Sequence, residues 1–287
     1  MPAIYKRELR SYFNGMTGPI FAAFLLLMTG IYVTALNFYS GYPGFEAALS
    51  SVIFVFLLVI PIITMRSFSE DMHNRTDQLL FSLPMKLSSV VLAKYLAMVT
   101  VLLIPTAVMC LYPIILSFYG TVNLSAAYGA ILGFFALGCA LIAIGMFLSS
   151  LTESQVIAAV LTFAVFILMY LMTGLSTLIP ATASASLVAY LLAAAAIALI
   201  LYSLTKNITV AACVGGVLAL VTAALYLIHS AAFEGSFQSL LSGLALFDRF
   251  NNFANGIFDL TSLVYYISVA GLFVFFTVQS MEKKRWA

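Results

Sequence analysis

Two adjacent carboxylates followed by an arginine, Glu70, Asp71 and Arg75, have the spacing in this chain that comes closest to a catalytic group. Adjacent acids can activate water when they share a buried site with a histidine that moves protons. Here the stretch 64–94 around them holds seven charged residues, and the second histidine, His229, lies far along the chain. Paired-acid hydrolysis is therefore poorly supported by the residues themselves.

The same spacing resembles the paired-acid and arginine pattern of intramembrane CAAX-type proteases. That chemistry needs the acid pair inside a buried apolar helix, with histidines supplied by other spans. The acids of this chain lie on a polar loop, and no His-x-x-x-Asn pattern follows them. An intramembrane protease is the third and most distant hypothesis.

The sequence also gives little support for an energy source within the chain, such as nucleotide hydrolysis or an ion gradient. No lysine is followed by Ser or Thr, as a P-loop requires, so the chain has no recognisable P-loop nucleotide site of its own. The predicted spans contain no Asp, Glu, Lys or Arg, which argues against coupling to an ion gradient. Cysteines 110, 139 and 213 lie inside apolar runs without paired spacing. We expect no metal, no directly bound cofactor and no enzyme activity in the chain by itself.

Composition places the chain in a membrane. Of its 287 residues, 64% are hydrophobic and 8% are charged, too few polar residues to cover a soluble domain of this size. A net charge of +2 says little about partners by itself, and we expect no nucleic-acid partner. The expected fold is an all-α, polytopic helix bundle that forms one transmembrane domain over residues 1–287.

The apolar runs predict about eight spans, a six-span core plus an extra hairpin over 187–228. An alternative with six spans makes that hairpin re-entrant. Gly129, Gly133 and Gly138 would allow close helix approach within the fourth span. The predicted spans are 18–36, 47–65, 95–118, 126–148, 156–175, 187–204, 208–228 and 261–281.

Charge placement predicts the orientation. An even number of spans puts both termini, the 66–94 loop and Lys206 on one side of the membrane. Eleven of the twelve Lys and Arg residues then lie on that side, with Arg249 alone on the other. Because basic residues concentrate in cytoplasmic loops, both termini are expected in the cytoplasm.

The first 17 residues predict an interfacial helix. Tyr5, Leu9, Tyr12 and Phe13 recur at helical spacing and would face the headgroup layer. The alternative is a frayed basic tail that only orients the protein. The other face of the helix would carry Lys6, Arg7, Glu8, Arg10 and Ser11.

The segment 229–260 predicts short amphipathic helices on the external side. Phe247, Phe250 and Phe253 recur at helical spacing, and Asn255-Gly256 is a typical helix stop. These rings are candidates for an outer gate or docking surface. The alternative is that they only pack the helices against the bundle.

The 66–94 loop is the main functional lead. Ser69, Glu70 and Asp71 can begin a short helix that breaks at Asn74–Arg75, and a second helix can start at Thr76–Asp77. Leu79, Leu80 and Leu83 would give the second helix an apolar face, and Pro84 would limit it. Such a helix is suited to insert into a groove on a soluble partner. The alternative is a solvated connector.

At this point the chain resembles a known family. The run TMR-x-x-SED-x-x-x-x-T-x-QLL-x-x-x-P, followed by VLAKY at 91–95, is similar to the coupling region of type-2 ABC transporter permeases, particularly the gliding-motility-type branch. The segment GMFLSSLTESQ at 145–155 and the C-terminal stretch 250–286, with NFANGIFDL, VYYIS and KKRW, add to the resemblance.

The resemblance implies a permease of the bacterial plasma membrane that works with a second copy or a related permease. Each permease would dock a separate cytoplasmic ATPase subunit, which binds ATP and Mg. Residues 70–83 would form the coupling helix, residues 1–17 the interfacial helix, and the segment before the last span the outer gate helices. The expected ATPase contacts are Arg66, Glu70, Asp71, Arg75, Thr76, Asp77, Leu79 and Leu80.

Two functions of different class remain open. The first is the permease of an ATP-driven transporter, most simply an exporter. The second is a membrane scaffold that recruits soluble partners through the 66–94 loop without transporting anything.

Overall fold

A computed structural model describes residues 2–75, 86–178, 180–205, 208–228 and 233–286. These residues are largely helical and include no strand, which confirms the all-α prediction. Helices satisfy their own backbone hydrogen bonds, as a chain in lipid must. The chain divides into two compact units, Met1–Ile167 with Arg249–Ala287, and Leu168–Asp248. The single permease domain over 1–287 stays a prediction beside this division.

The α-helices follow the predicted apolar runs closely, with ends that differ by a few residues at most boundaries. A π-helix, Thr34–Tyr39, continues α2, and a 3-10 turn, Asp248–Phe250, precedes α12. In chain order the α-helices are α1 Pro2–Asn14, α2 Thr17–Val33, α3 Phe45–Thr64, α4 Ser69–His73, α5 Leu87–Met109, α6 Leu111–Ser117, α7 Leu124–Ser149, α8 Gln155–Leu178, α9 Ala183–Thr205, α10 Ile208–Ile228, α11 Ser236–Leu244, α12 Asn251–Ala254 and α13 Leu260–Trp286.

Helices α3 and α7 form the centre of the first unit. Their apolar windows are 67% and 72% buried, whereas α2 and α13 bury 22% and 28%. Small residues bring α7 close to its neighbours, as predicted. A methyl group on Gly133 would lie 2.7 Å from the Phe253 ring, and one on Gly145 would overlap Thr64 of α3. Helix α7 therefore packs too tightly against α12 and α3 to accept larger side chains at these two points.

The third span begins earlier than predicted. Helix α5 starts at Leu87 instead of residue 95, because Leu87, Val90 and Val91 continue the buried face of the helix toward its N-terminus. As a consequence Lys94 lies inside the helix and is buried. The expectation that the spans hold no ionisable residue is wrong at this position.

Six helical stretches of the described residues are long and apolar enough to cross a membrane, and α9 and α10 add shorter apolar stretches at 183–195 and 214–223. The protein is thus a multi-pass membrane protein, and the count of eight spans stays a prediction. The six stretches are Thr17–Tyr39, Phe45–His73, Leu87–Ser117, Leu124–Ser149, Gln155–Met172 and Leu260–Arg285.

The second unit is built on the predicted helical hairpin of α9 and α10. The two helices approach closely where a methyl group on Gly215 would lie 2.7 Å from the Ala198 side chain. Tyr190 of α9 packs edge-on against Phe233 and Phe237, with ring centroids 5.8 and 5.0 Å away. This aromatic cluster fixes the start of the short helix α11 beside the hairpin.

Candidate functional site

The polar turn, residues 65–75, connects α3 to the segment that precedes α5. Its first short helix, α4, covers Ser69–His73, as predicted. The predicted break follows, because Asn74 ends the helix and Arg75 adopts a left-handed backbone with φ of 56°. The second predicted helix, with Thr76, Asp77, Leu79 and Leu80, lies outside the described residues.

A serine at the end of α7 holds this turn. Ser149 Oγ accepts hydrogen bonds from the backbone N–H groups of Phe68 and Ser69, both at 3.2 Å, and donates one to Met65 O at 3.1 Å. Ser149, Ser69 and Phe68 are all fully buried. The turn is therefore attached to the end of the central helix α7 and does not hang free as a solvated loop.

A buried lysine joins the turn to two helices. Lys94 Nζ donates to Ser67 O at 2.8 Å and to Glu8 Oε2 at 3.2 Å, and it forms an ion pair with Asp71 Oδ2 at 2.8 Å. Its side chain is only 4% exposed. The ammonium group is thus paired with two carboxylates and hydrogen-bonded to a backbone carbonyl, and the Phe68 ring centroid lies 5.3 Å from Nζ. We call Glu8, Asp71 and Lys94 the Lys94 cluster.

The Lys94 cluster is stable only as a set. Burying an ammonium group is costly unless it is paired and fully hydrogen-bonded, and the two carboxylates supply that pairing. Each carboxylate also comes from a different element, α1 or the polar turn. The cluster therefore makes the position of α1, the turn and α5 interdependent.

The other charged pair of the turn faces outward. Arg66 Nε and a terminal nitrogen donate to the two oxygens of Glu70 at 2.8 and 3.0 Å. Both side chains are about one-third exposed, at 35% and 34%. This fork-shaped pair is accessible, as is Arg75, whereas Asp71 points to Lys94. Of the predicted contact residues that are described, Arg66, Glu70 and Arg75 remain available to a partner.

Helix α1 packs on the bundle as well as presenting a basic face. Ile4 packs against Val90 and Ala93 of α5, and the Tyr12 hydroxyl donates to Ile63 O at 3.2 Å. The exposed residues of the helix include Lys6, Arg7 and Arg10. Glu8 was predicted on that polar face, and this is wrong: its carboxylate is 14% exposed and turns to Lys94.

The C-terminal end of α13 reaches the same turn. Lys284 Nζ donates to Ser150 O at 2.8 Å, and Met72 Sδ lies 2.9 Å away. Ser280 and Ser150 are joined at 3.2 Å by their hydroxyls. A lysine at the C-terminal end of α7 also suits the negative end of the helix dipole. Residues from near both chain ends thus meet the polar turn.

The rings considered for an outer gate separate into two settings. Phe250 and Phe253 are buried in the first unit, where Phe250 lies 6.5 Å from Phe134 and 6.0 Å from Phe253 between ring centroids. Phe247 lies in the second unit, 5.5 Å from the Tyr170 ring. Packing accounts for these contacts, and a gating role stays a prediction.

The predicted contact residues do not include those that attach the turn to the bundle, namely Glu8, Lys94, Ser149 and Lys284. One signal was present for Lys94, a single base within the apolar run VVLAKYLAM, which a membrane helix tolerates only with a partner. No comparable signal marked Ser149, since a serine at a helix end is common.

Comparison with known proteins adds one match. The sequence model of a family described as ABC-2 family transporter protein matches residues 9–213, which include the second half of α1, the polar turn and α5. No curated protein and no solved structure gives a significant match to the chain.

Proposed function

Because the chain belongs to the ABC-2 transporter family, and is therefore a membrane permease component of an ABC transporter, we propose that separate cytoplasmic ATPase subunits drive it through the polar turn. A permease of this family is a transport component and is not itself catalytic. ATP and Mg would bind in the partner ATPase. This chain would contribute the surface through which the conformational change of the ATPase reaches the spans. The gliding-motility-type branch is part of the proposal and rests on the motifs around the turn.

The Lys94 cluster is the observation that carries this proposal. A coupling element must move as one body with the spans it drives, or its displacement is lost in a flexible loop. Lys94 and Ser149 connect the turn to α5 and α7, and Glu8 adds α1. A push on the exposed Arg66–Glu70 pair would therefore reach three helices.

The mechanism that follows is a two-state switch. ATP binding would favour one arrangement of the ATPase pair, and that arrangement would favour one of two packings of the spans. The ATPase can shift this equilibrium only by as much as it binds the turn more tightly in one state than in the other. The rigid attachment of the turn is what makes such a difference possible.

We further propose an exporter that works as a dimer, with a second copy or a related permease, in the bacterial plasma membrane. Both termini would lie in the cytoplasm. The distribution of basic residues supports this orientation, since eleven of twelve fall on the proposed cytoplasmic side. The turn, Glu8 and Lys284 would then face the ATPase side together.

The test exchanges charge on the exposed side of the turn and leaves the Lys94 cluster intact. We expect Glu70→Lys with Arg75→Glu to abolish co-purification of an ABC ATPase subunit, because like charges would then oppose the partner's surface. The control is Lys6→Glu with Glu282→Lys, which also exchanges one exposed acid and one exposed base. It should leave ATPase recovery unchanged.

Recovery of the ATPase with both double variants, from well-folded protein, would show that the turn is not the docking site. Capture of a soluble partner that is no ATPase, lost only with the Glu70 and Arg75 exchange, would instead identify the scaffold. Reconstitution with the recovered ATPase then measures whether ATP hydrolysis responds to the permease, which a passive scaffold would not produce.

A further inference from the structure

The connection between α2 and α3 buries two oxygen acceptors that lack donors. Among the described residues, neither Asn37 Oδ1 nor Glu46 Oε2 has a hydrogen-bond partner, although both atoms are shielded from solvent. Asn37 as a whole is 8% exposed. Buried acceptors are nearly always satisfied, because an unpaired one carries its full desolvation cost. Two of them around one short segment indicate a missing donor.

The orientation of Asn37 is fixed by its own bonds. Its Nδ2 donates to Tyr42 O at 2.7 Å and to Gly44 O at 3.0 Å, so the remaining oxygen can only accept. Asn37 lies in the π-helix Thr34–Tyr39. Such π segments are rare and occur frequently at functional sites.

The absence of a side chain at Gly44 lets the Glu46 carboxylate and the Tyr42 ring approach the backbone closely. A methyl group there would lie 2.7 Å from Glu46 Oε1 and 2.8 Å from Tyr42 Cε1. The Glu46 carboxylate and the Tyr42 ring therefore meet over the same glycine. Tyr42 is 53% exposed, so its ring forms the accessible wall of this site.

The surroundings place the site at headgroup depth. It lies at the start of α3, roughly 30 Å along the helix from the polar turn at 1.5 Å rise per residue. Tyr39 and Tyr119 are 92% and 77% exposed beside it, and Phe38 packs edge-on to Tyr119. Exposed aromatic rings at a helix end are typical of the membrane–water interface.

The chemistry of the site selects one kind of ligand. A hard metal ion would require about six oxygen ligands, whereas this site offers a single carboxylate. The described residues contain no group of three His, Cys, Asp or Glu side chains that could hold a metal. A primary ammonium group carries one positive charge and three N–H donors, and an aromatic face attracts it. The helix dipole favours an acid in the first turn of α3 but gives Oε2 no donor.

We propose that Asn37, Tyr42, Gly44 and Glu46, here called the amine site, bind a primary ammonium group. A phosphatidylethanolamine headgroup is the source that its depth favours, and a free primary amine has the same chemistry. A choline headgroup would be discriminated against, because its quaternary nitrogen has no N–H to give the two acceptors. The proposal is independent of ATPase docking at the other end of α3.

The test measures lipid retention by the purified full chain with native mass spectrometry. Phosphatidylethanolamine and phosphatidylcholine with the same acyl chains compete at equal concentration. The wild-type chain should prefer the ethanolamine lipid by about tenfold, the loss expected when one hydrogen bond to a charged group is missing. Glu46→Gln should remove the preference, and Glu153→Gln, an exposed acid outside the amine site, should keep it.

A second pair of variants decides the matter if Glu46→Gln fails to fold. Tyr42→Phe keeps the ring and should retain the ethanolamine lipid as the wild type does, while Tyr42→Ala should weaken its retention, because the ring attracts the ammonium group. Equal retention of the two lipids by the wild-type chain, with no displacement by soluble ethanolamine, would overturn the proposal, as would an unchanged preference in Glu46→Gln. Binding of soluble ethanolamine that depends on Glu46, without lipid preference, would support the ammonium site and assign it to a free amine.

Discussion

At the scale of single residues, Lys94 shows how a charge becomes structural in a membrane protein. An isolated ammonium at this depth would be costly, yet Lys94 is paired on two sides and bonded to a backbone carbonyl. The same base has two carboxylate partners, Asp71 and Glu8, and Glu8 also pairs with the exposed Arg7 at 2.7 Å. Removing the base would therefore harm the fold more than removing either acid.

We expect Lys94→Met to destabilise the protein by about 3–5 kcal/mol, the cost of breaking a buried pair by removing one partner. Thermal unfolding in detergent, followed by near-ultraviolet circular dichroism, measures it. Lys86→Met is the control, because Lys86 is exposed at the start of α5. Adding Glu8→Gln and Asp71→Asn to Lys94→Met should restore much of the loss. An unfolding midpoint equal to that of the control would contradict the structural role.

Asp259 is a second residue with a measurable electrostatic signature. Hydrogen bonds from Ser262 at 2.6 Å, Asn252 at 2.8 Å and the Thr261 N–H at 2.9 Å stabilise its charged form at the start of α13. They lower the pKa of Asp259 to about 2, from an ordinary value of 3.8. The ionised cap thus links α12 to the start of α13.

Stability from Asp259 should depend on pH in one direction. A lowered pKa means that the folded state holds the proton less tightly, so the stabilisation is complete above 3.8 and is lost as pH falls toward 2. Asp259→Asn should therefore lower the unfolding midpoint at pH 6. Below pH 3, under the ordinary pKa of an aspartate, the midpoints of the variant and the wild type should lie closer together. A difference between the two proteins that is constant over this range would contradict the assignment.

At the scale of elements, the crossing of α3 and α7 determines where the polar turn can lie. Gly145 lets Thr64, the last residue of α3, approach α7, and Ser149, one turn further along, then bonds the turn. Close packing and turn attachment are consecutive on one helix face. A substitution that changes the crossing of α3 and α7 should therefore also displace the polar turn.

We expect Gly145→Ala to cost about 1–3 kcal/mol by overpacking this crossing. Its methyl group would overlap the Thr64 side chain, whereas Gly271→Ala of α13 meets nothing within 4 Å and serves as the control. Thermal unfolding in detergent compares the two variants. Equal midpoints would show that α3 and α7 can separate freely, contrary to the packing described here. Thr64→Ala in the Gly145→Ala background should recover part of the loss.

At the scale of the whole molecule, the polar turn collects contacts from distant parts of the chain. Glu8 near the beginning is joined to it through Lys94, and Lys284 near the end contacts Met72. In a membrane protein such contacts must lie on one side, because charged groups cannot be shared across the bilayer. The orientation and the number of spans can then be determined by finding on which side of the membrane each of the other loops lies.

Single cysteines in a cysteine-free background should reveal the topology. With eight spans, Lys206→Cys reacts with a membrane-impermeant maleimide only after the cytoplasmic side is opened. With a re-entrant hairpin, Lys206→Cys should not show this labelling pattern of a cytoplasmic residue. Arg75→Cys and Gly120→Cys serve as the expected inside and outside references. Labelling of Lys206→Cys from outside in intact cells would exclude the eight-span arrangement.

Local pattern alone predicted much of this protein. Apolar runs of span length, the helix stop at Asn255–Gly256 and the helix start at Ser69 are properties of neighbouring residues, and the helices follow them closely. The match to a permease family also agrees with motifs visible in the sequence.

Tertiary structure decided which charges are buried and what they hold. Glu8 and Lys94 are separated by 86 positions, and Lys284 and Ser150 by 134, so no periodicity of either segment could pair them. The predicted polar face of α1 was wrong for Glu8 for the same reason, since the lysine that draws it inward belongs to another helix. Pairing across helices depends on how the helices pack, and a single sequence read along its length does not contain that distance.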